Sequence, residues 1–198
     1  KKAALFANDG RFTVEYEPDT SEYIYRADDL ANLSGRKYDG KRNLIKKFVS
    51  GNPHEYISLD AKGAVLCLEF VESWCAMKDC ESVESLKNEK KAIGHMFSHF
   101  DEFRLIGGGI RTGGRLAAMA IAERLNPDTL AVHVLKAAAR ITGLYQAMMN
   151  SFVKANREGL RFVNLEEDLG VEGLRKFKLS YHPVAMAKKF TVTLKREE

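Results

Sequence analysis

The chain has 198 residues, a net charge of +4 and a sequence pI of about 8.9. Charged residues make up 29% and apolar residues 45% of the sequence, which excludes a disordered or fibrous chain and allows a sizeable core. The sequence contains neither an apolar stretch of membrane-spanning length nor a charged start followed by an apolar run, so we expect no transmembrane helix and no signal peptide.

The first part of the chain is predicted to alternate between strands and helices. Polar residues alternate with β-branched and aromatic residues over Arg11–Tyr16 and again over Glu22–Tyr25, which is typical of strands. The apolar spacing that follows favours helices, and Gly51-Asn52-Pro53 ends the second of them. The predicted elements are helices over Asp28–Leu33 and Tyr38–Val49 and a strand over His54–Leu59.

A helical insert is predicted next. Ala64–Lys78 is strongly apolar, contains Trp74 and is long enough for a buried helix. Ser82 is a candidate N-cap for a second helix. Its apolar residues recur at three- and four-residue steps, at Val83, Leu86, Ile93, Phe97 and Phe100.

The remainder of the chain predicts an antiparallel meander followed by alternating helices and strands. The meander strands are Arg104–Ile110, Arg115–Arg124 and Leu130–Lys136, with turns at Thr112-Gly113-Gly114 and Asn126-Pro127-Asp128. The later elements are a helix from Thr142 or Gly143 to Asn156, the strand Arg161–Leu165, the helix Val171–Tyr181 and the strand Lys189–Leu194. This order indicates an α+β fold with a mixed, mainly antiparallel sheet flanked by helices.

The cysteines Cys67, Cys75 and Cys80 are odd in number and lack zinc-ligand spacing with a histidine pair. We therefore expect buried structural thiols rather than a disulfide framework, and a cytoplasmic location. His95 and His99 lie four residues apart on a predicted helix, but no third ligand accompanies them, so no metal site is predicted.

Three groups of residues resemble a bacterial family of uncharacterised proteins related to the C-terminal domain of phosphatidylglycerol lysyltransferase. They are Tyr23-Ile24-Tyr25-Arg26 with Asp29-Leu30 and Leu33, Gly35-Arg36-Lys37 with Lys41-Arg42-Asn43 and Phe48, and Phe162-Val163-Asn164 through Tyr181-His182-Pro183. The order of elements is also similar to that of the Gcn5-related N-acetyltransferase superfamily (the acyl-CoA N-acyltransferases), in which a meander leads into a helix, a strand, a helix and a last strand.

The resemblance implies a domain organisation and an activity. Residues 1–60 are expected to form an N-terminal segment with a basic helix, and residues 61–198 an acetyltransferase-like domain. Relatives of this kind pack two such domains in tandem, so a further acetyltransferase-like domain is expected before Lys1. Those relatives move an aminoacyl group from a charged transfer RNA to an amine or a hydroxyl, which makes this chain a candidate acyl- or aminoacyltransferase.

The turn that follows the meander and precedes the next helix indicates which acyl donor the chain uses. Acetyltransferases that use coenzyme A carry a glycine-rich turn here, whose N–H groups bind pyrophosphate. This sequence reads Arg140-Ile141-Thr142-Gly143-Leu144-Tyr145, and the Tyr145 ring would crowd a pyrophosphate. The pattern favours aminoacyl-tRNA over acetyl-CoA. Two alternatives stay open, namely a coenzyme A-dependent N-acetyltransferase and a non-catalytic module that binds an anion or RNA.

The corner between the strand Arg161–Leu165 and the helix Val171–Tyr181 is the first candidate site. Crowded carboxylates raise one another's pKa, so Glu167 and Asp168 are candidate catalytic groups; their alternative role is to complement the helix dipole. Tyr181 is a candidate acid for the leaving group, or a core tyrosine. The candidate substrate-binding residues of the corner, which could instead pair with its acids, are Asn164, Arg175 and Lys178.

Two further groups complete the predicted substrate-binding set. The basic segment Gly35–Lys47 would attract phosphates, unless it is simply a solvated helix face. Its candidate binding residues are Lys37, Lys41, Arg42 and Asn43. Tyr145 and Gln146 offer polar groups next to the meander, where the donor would lie, and core packing is the alternative role of Tyr145.

Overall fold

The structure is a computed structural model that describes residues 2–78 and 84–195. The chain forms two compact units, a smaller one made of Lys1–Tyr25 with Asn164–Glu198 and a larger one made of Arg26–Val163. The boundary expected near residue 60 stays a prediction. The predicted cap Ser82, the apolar position Val83 and Cys80 lie outside the described residues.

The helices and strands follow the predicted order closely. They are α1 (Lys2–Ala7), β1 (Phe12–Arg26), α2 (Ala27–Asn32), α3 (Asp39–Gly51), β2 (His54–Leu59), α4 (Ala64–Lys78), α5 (Glu84–Ser98), β3 (Ile106–Thr112), β4 (Arg115–Asn126), β5 (Thr129–Ala137), α6 (Leu144–Asn156), β6 (Phe162–Asn164), α7 (Glu172–Leu179) and β7 (Ala185–Leu194). Short 3-10 turns lie at Arg36–Tyr38 and Ala61–Gly63. None of these helices combines the length and the apolar character needed to cross a bilayer.

The larger unit is built on the predicted antiparallel meander, which is β3-β4-β5; β2 pairs antiparallel with β3 at one edge, and β6 follows β5 in the strand order. Helices pack on both faces of this sheet, and the glycines of β3 allow them to come close. A Cβ atom at Gly107 would lie 3.2 Å from the Phe100 ring, and one at Gly108 would lie 2.7 Å from the Phe152 ring. Because adjacent strand residues point to opposite faces, the insert and α6 each approach β3 from their own side.

The helical insert α4–α5 supplies the main apolar cluster of the larger unit. Its fully or almost fully buried members include Cys67, Phe70, Val71, Ile93, Phe97, Met119, Ile121 and Val134.

Cys67 is a free thiol, and burial raises its pKa to about 12. Cys75 is disulfide-bonded, so the expectation that it is a structural thiol is wrong. An odd count of cysteines argues against a framework of several bridges but does not exclude a disulfide at Cys75.

The opposite face of the meander is covered by α6, which in turn packs against α2 and α3. Asn150 of α6 is buried, and its amide donates to the carbonyl oxygens of Leu30 and Ala31 at 2.8 and 2.7 Å. These carbonyls belong to the last turn of α2, where helical partners run out. The side chain thus caps α2 and fixes it on α6.

The smaller unit contains a long antiparallel ribbon of β1 and β7, which pair from Phe12–Leu194 to Ile24–Ala185. The sequence predicted separate strands on either side of the Pro18-Asp19-Thr20 segment. The structure has one strand with a register shift between Glu17 and Glu22, because a bulge absorbs the proline without ending the strand. Helix α1 was not predicted, since Lys2–Ala7 is too short for a periodic signal.

Candidate functional site

The first candidate site is the strand-to-helix corner of the smaller unit, between β6 and α7. The backbone N–H of Leu165 donates to the carbonyl oxygen of Tyr23 at 3.0 Å, and the backbone N–H of Tyr23 donates to the carbonyl oxygen of Glu166 at 3.1 Å. Beyond this point Glu166 and Leu169 adopt left-handed conformations, with φ of 58° and 51°. Non-glycine residues in this region cost about 1 kcal/mol or more each, and such strain concentrates at functional sites.

Asp168 is the centre of the corner and is only 1% exposed. Its carboxylate accepts hydrogen bonds from the Tyr23 hydroxyl at 2.5 Å, from the Gly170 N–H at 2.9 Å, and from Arg175 at 2.8 and 2.9 Å. The Arg175 guanidinium, followed by the other donors, holds the pKa of Asp168 well below its usual range despite burial. The expected rise in pKa is therefore wrong for Asp168, because cationic and neutral donors surround it.

Lys178 of α7 is a buried lysine, only 6% exposed. Its ammonium donates to the carbonyl oxygen of Leu165 at 2.5 Å and to that of Glu167. Burial lowers the pKa of Lys178 to about 8, although nearby carboxylates, Glu166 foremost, act in the opposite direction. The Tyr25 hydroxyl donates to the Lys178 carbonyl oxygen at 2.8 Å. Lys178 thus ties α7 to the backbone of the corner.

Glu167 takes part in a more exposed network with Asn164, Glu22 and Lys189. The Asn164 amide donates to Glu22 at 2.7 Å, and its oxygen accepts the Glu166 N–H at 2.8 Å. The Lys189 ammonium lies 2.7 Å from Glu22 and 3.5 Å from Glu167. The structure therefore brings together the predicted residues Asn164 and Glu167.

Tyr181 follows α7 and is buried in the smaller unit. The centre of its ring lies 5.2 Å from that of Phe177, and its backbone N–H donates to the carbonyl oxygen of Lys178 at 3.1 Å. The predicted corner residues Asn164, Glu167, Asp168, Arg175, Lys178 and Tyr181 all belong to the smaller unit, whereas the predicted basic segment and Tyr145 with Gln146 belong to the larger one.

The second candidate site is a pocket of about 520 Å³ in the larger unit. It is lined by the end of β5 and the start of α6, together with Leu44 of α3 and Trp74 of α4. The other lining residues are Leu135, Lys136, Ala137, Ala138, Ala139, Ile141, Thr142, Gly143, Tyr145 and Gln146. Predominantly apolar walls with a few polar groups are typical of small-molecule sites of this size.

The lining of this pocket contains a lysine, Lys136, that the sequence analysis did not single out. The Lys136 side chain is 7% exposed, and its ammonium donates to Glu89 at 2.8 Å. The same ammonium lies 3.6 Å from the centre of the Trp74 ring. A signal was present, since Lys136 follows Val132 and Val134 in the period-two row of a buried strand, where a lysine is out of place.

Gly143 and α3 define the edge of the pocket at the α6 N-terminus. Gly143 has φ of 83°, and a Cβ atom there would collide with the carbonyl oxygen of Leu44. Tyr145 is mostly buried, and burial, with Glu89 as a second cause, raises the pKa of its phenol. The turn expected to hold a pyrophosphate in coenzyme A enzymes is therefore packed directly against α3.

Some cations of the basic segment Gly35–Lys47 bond to other groups of the same chain. The Arg42 guanidinium donates to the carbonyl oxygens of Gly35, at 2.9 Å, and Leu33, and to the carboxylate of Asp39. The Lys37 ammonium lies 3.6 Å from Asp29. Lys41 is half-buried, and this burial lowers its pKa, whereas Asn43 is exposed. Across residues 2–78 and 84–195 no three His, Cys, Asp or Glu side chains meet as a metal site.

The meander with its helices defines the class of the protein, the acetyltransferase-like fold. A tandem GNAT protein from the clavulanic acid biosynthesis pathway has the same fold, with a TM-score of 0.52 at 10% identity over 98% of this chain and 58% of that chain. The chain itself belongs to the family described as phosphatidylglycerol lysyltransferase, C-terminal, which matches residues 2–193. Comparison with curated protein sequences gives no match.

Two solved structures are similar over almost the whole chain. A conserved protein of unknown function from Bacteroides thetaiotaomicron is 35% identical with a TM-score of 0.93, covering 98% of this chain and 66% of that one. The L-PGS from Bacillus licheniformis is 14% identical with a TM-score of 0.68, covering 98% of this chain and 65% of that one. The chain thus spans just under two thirds of the length of these relatives. The predicted family and fold class are both confirmed.

Proposed function

We propose that this chain carries out acyl transfer as an aminoacyltransferase, moving an aminoacyl group from a charged transfer RNA to an amine or a hydroxyl. The pocket between β5 and α6 is the observation that carries this proposal. Its volume of about 520 Å³ suits an amino acid esterified to a ribose. Membership in a family named for lysyl transfer supports the same reaction class.

The pocket combines apolar walls with groups able to orient a polar ligand. Ala137, Ala138 and Ala139 contribute small side chains to its lining, and Thr142 and Gln146 contribute a hydroxyl and an amide. Holding the ester carbonyl and the acceptor in one place converts a bimolecular reaction into an effectively unimolecular one. Orientation by these groups is the contribution that we assign to the pocket.

Coenzyme A is the less favoured donor. Its pyrophosphate would need the N-terminal turn of α6, but Leu44 packs against Gly143 there and Tyr145 occupies the position of a second glycine. An aminoacyl ester does not carry a pyrophosphate, so these obstacles do not apply to it. The variant Tyr145→Gly is expected to raise affinity for acetyl-CoA if the pocket descends from a coenzyme A site.

The roles of Glu167 as the acceptor's base and of Tyr181 as the acid for the leaving group stay predictions from the sequence, and both residues belong to the smaller unit. The Asp168 carboxylate already accepts hydrogen bonds from Tyr23, Gly170 and Arg175, so we assign it to positioning the corner. Lys178 is proposed to position the same backbone. Tyr181→Phe should lower the transfer rate at least ~100-fold, a typical contribution of a general acid; unchanged turnover would remove Tyr181 from the scheme.

The direct test is deacylation of a mixture of transfer RNAs charged with radiolabelled amino acids. The purified protein is added with phosphatidylglycerol vesicles or with hydroxylamine as acceptor, and acid-precipitable label is followed over time. Faster loss of label with protein than with heat-denatured protein supports the proposal. Loss of label at the spontaneous rate with every amino acid, together with a thermal shift by acetyl-CoA, would contradict it.

A non-catalytic module that binds an anion or RNA is a second candidate. Exposed cations on α3 and the preceding turn, Arg36, Lys46 and Lys47, favour it. If it is correct, uncharged transfer RNA binds with an affinity that falls steeply as salt rises. Binding of this kind without any deacylation would support the module over the transferase.

A further inference from the structure

The pocket of the larger unit already holds a cation of its own. The Lys136 ammonium lies over the face of Trp74, with 3.6 Å to the ring centre, and is 2.8 Å from a carboxylate oxygen of Glu89. Ammonium groups within about 6 Å of an aromatic centre are attracted by the ring quadrupole, most strongly by tryptophan. Lys136 therefore makes a cation–π contact with Trp74 and a charge-assisted hydrogen bond with Glu89.

Four separate elements build this arrangement. Trp74 comes from α4, Glu89 from α5, Lys136 from β5 and Tyr145 from α6. Trp74, Lys136 and Tyr145 line the pocket, and Glu89 is close enough to Tyr145 to act on the pKa of its phenol. An aromatic ring with a carboxylate beside it is a common way to bind a ligand's ammonium group. In this chain the ammonium between the ring and the carboxylate is that of Lys136, not that of a ligand.

We propose that Lys136 occupies the cation-binding part of the pocket, so that the aminoacyl group accepted by this chain has an uncharged side chain rather than an ammonium or guanidinium. This inference rests on the proposed aminoacyl transfer. A cationic side chain entering the pocket would meet Lys136 as a like charge and find the Glu89 carboxylate already bonded. A neutral side chain is not repelled by Lys136 and can pack on apolar residues of the lining such as Leu44 and Leu135.

The Lys136 ammonium is fixed by Glu89 and Trp74, and these two partners differ in what its removal would leave behind. Its side chain is almost fully buried, while that of Glu89 is 39% exposed and retains contact with solvent. Removing the lysine would therefore leave a carboxylate that water can still hydrate, and the Trp74 face would become accessible. Lys136→Met keeps an apolar stem but lacks the terminal ammonium that lies over Trp74 and beside Glu89, so it is expected to convert the pocket into a site for an external cation.

Trp74 offers a direct reading of this site, because the sequence contains one tryptophan. Norleucinamide and lysinamide differ only in the end of the side chain, a methyl against an ammonium, and share the same α-amino group. In the wild-type protein, titration should change Trp74 fluorescence with norleucinamide at concentrations at least ~10-fold lower than with lysinamide. In Lys136→Met, lysinamide should bind at least ~10-fold more tightly than in wild type, whereas Lys136→Arg should behave like wild type.

The same proteins are then compared with methionyl-tRNA and lysyl-tRNA in the deacylation assay. We expect the wild type to prefer the methionyl donor and Lys136→Met to shift the ratio towards the lysyl donor. Equal or tighter binding of lysinamide by wild type, or unchanged lysinamide binding in Lys136→Met, would overturn the inference. Deacylation of neither donor, with the expected amide binding, would instead contradict the aminoacyl transfer and leave the cation site supported.

Discussion

The Nε and Nη2 atoms of Arg175 donate to different oxygens of Asp168, at 2.9 and 2.8 Å, so one buried carboxylate is held side-on by one guanidinium. The two residues lie on opposite sides of the Gly170 turn. The pair therefore clamps the start of α7 to the end of the corner. Bidentate pairs of this kind are among the stronger and more directional hydrogen bonds in proteins.

Asp168→Ala should destabilise the protein by about 2–3 kcal/mol, because the Tyr23 hydroxyl and the Gly170 N–H lose their acceptor together with the ion pair. Urea unfolding followed by circular dichroism measures this change. The matched control is Asp19→Ala, which removes the exposed second partner of Arg175 and should cost no more than about 1 kcal/mol. Equal effects of the two variants would show that burial of Asp168 is irrelevant.

Acid should weaken the folded state through Asp168. Its pKa is lowered in the folded protein, chiefly by the hydrogen bonds from Arg175, so the unfolded chain takes up the proton first. The contribution is fully present above the unfolded pKa of about 4 and is lost as the pH falls towards the folded pKa. The free energy of unfolding of Asp168→Asn should therefore fall less steeply than that of wild type between about pH 5 and pH 2. Parallel curves would contradict this assignment.

Alkaline pH should act on the folded state through Lys178. Burial lowers its pKa to about 8 in the folded protein, whereas an unfolded lysine titrates near 10.4. The unfolded chain holds more protons between these values, so stability should rise with pH from about 8 to 9.5. The rise should be absent in Lys178→Met and retained in Lys176→Met, which removes an exposed lysine of the same helix. A rise of equal slope in both variants would exclude Lys178 as its source.

Gly143→Ala should destabilise the larger unit more than the strained backbone alone explains. An alanine at its φ of 83° costs about 1 kcal/mol, and the collision with Leu44 adds a further ~1–3 kcal/mol of overpacking. Gly35→Ala is the matched control, because Gly35 has φ of 87° with open space where the Cβ would lie. Thermal unfolding of both variants separates the two costs. Equal losses of stability in the two variants would mean that α3 moves away from the new Cβ atom at no cost in free energy.

Local sequence patterns were sufficient for most of the fold. The apolar helix Ala64–Lys78 and the meander turns at Gly113 and Asn126 rest on periodicity and turn residues, which act over a few positions. The continuity of β1 through Pro18 was not predictable, because it depends on pairing with β7, a strand from the other end of the sequence. Long-range pairing leaves no mark within the segment itself.

The candidate site shows the same division. The charged corner was predictable, because Glu167, Asp168 and Arg175 are close in sequence. Its electrostatics were not, since the Tyr23 hydroxyl that completes the Asp168 environment comes from β1. The Lys136 arrangement was missed because its partners come from helices far away in the chain.

The three glycines of β3 bear on how the protein folds. A strand with glycine at 107, 108 and 109 has little intrinsic preference for extended structure and no side chains there to hold its neighbours. It depends on contacts from β2 and β4, and on Phe100 and Phe152 from the two helical layers. We therefore expect β3 to become ordered late in folding, and its amide hydrogens to exchange early whenever either helical layer loosens.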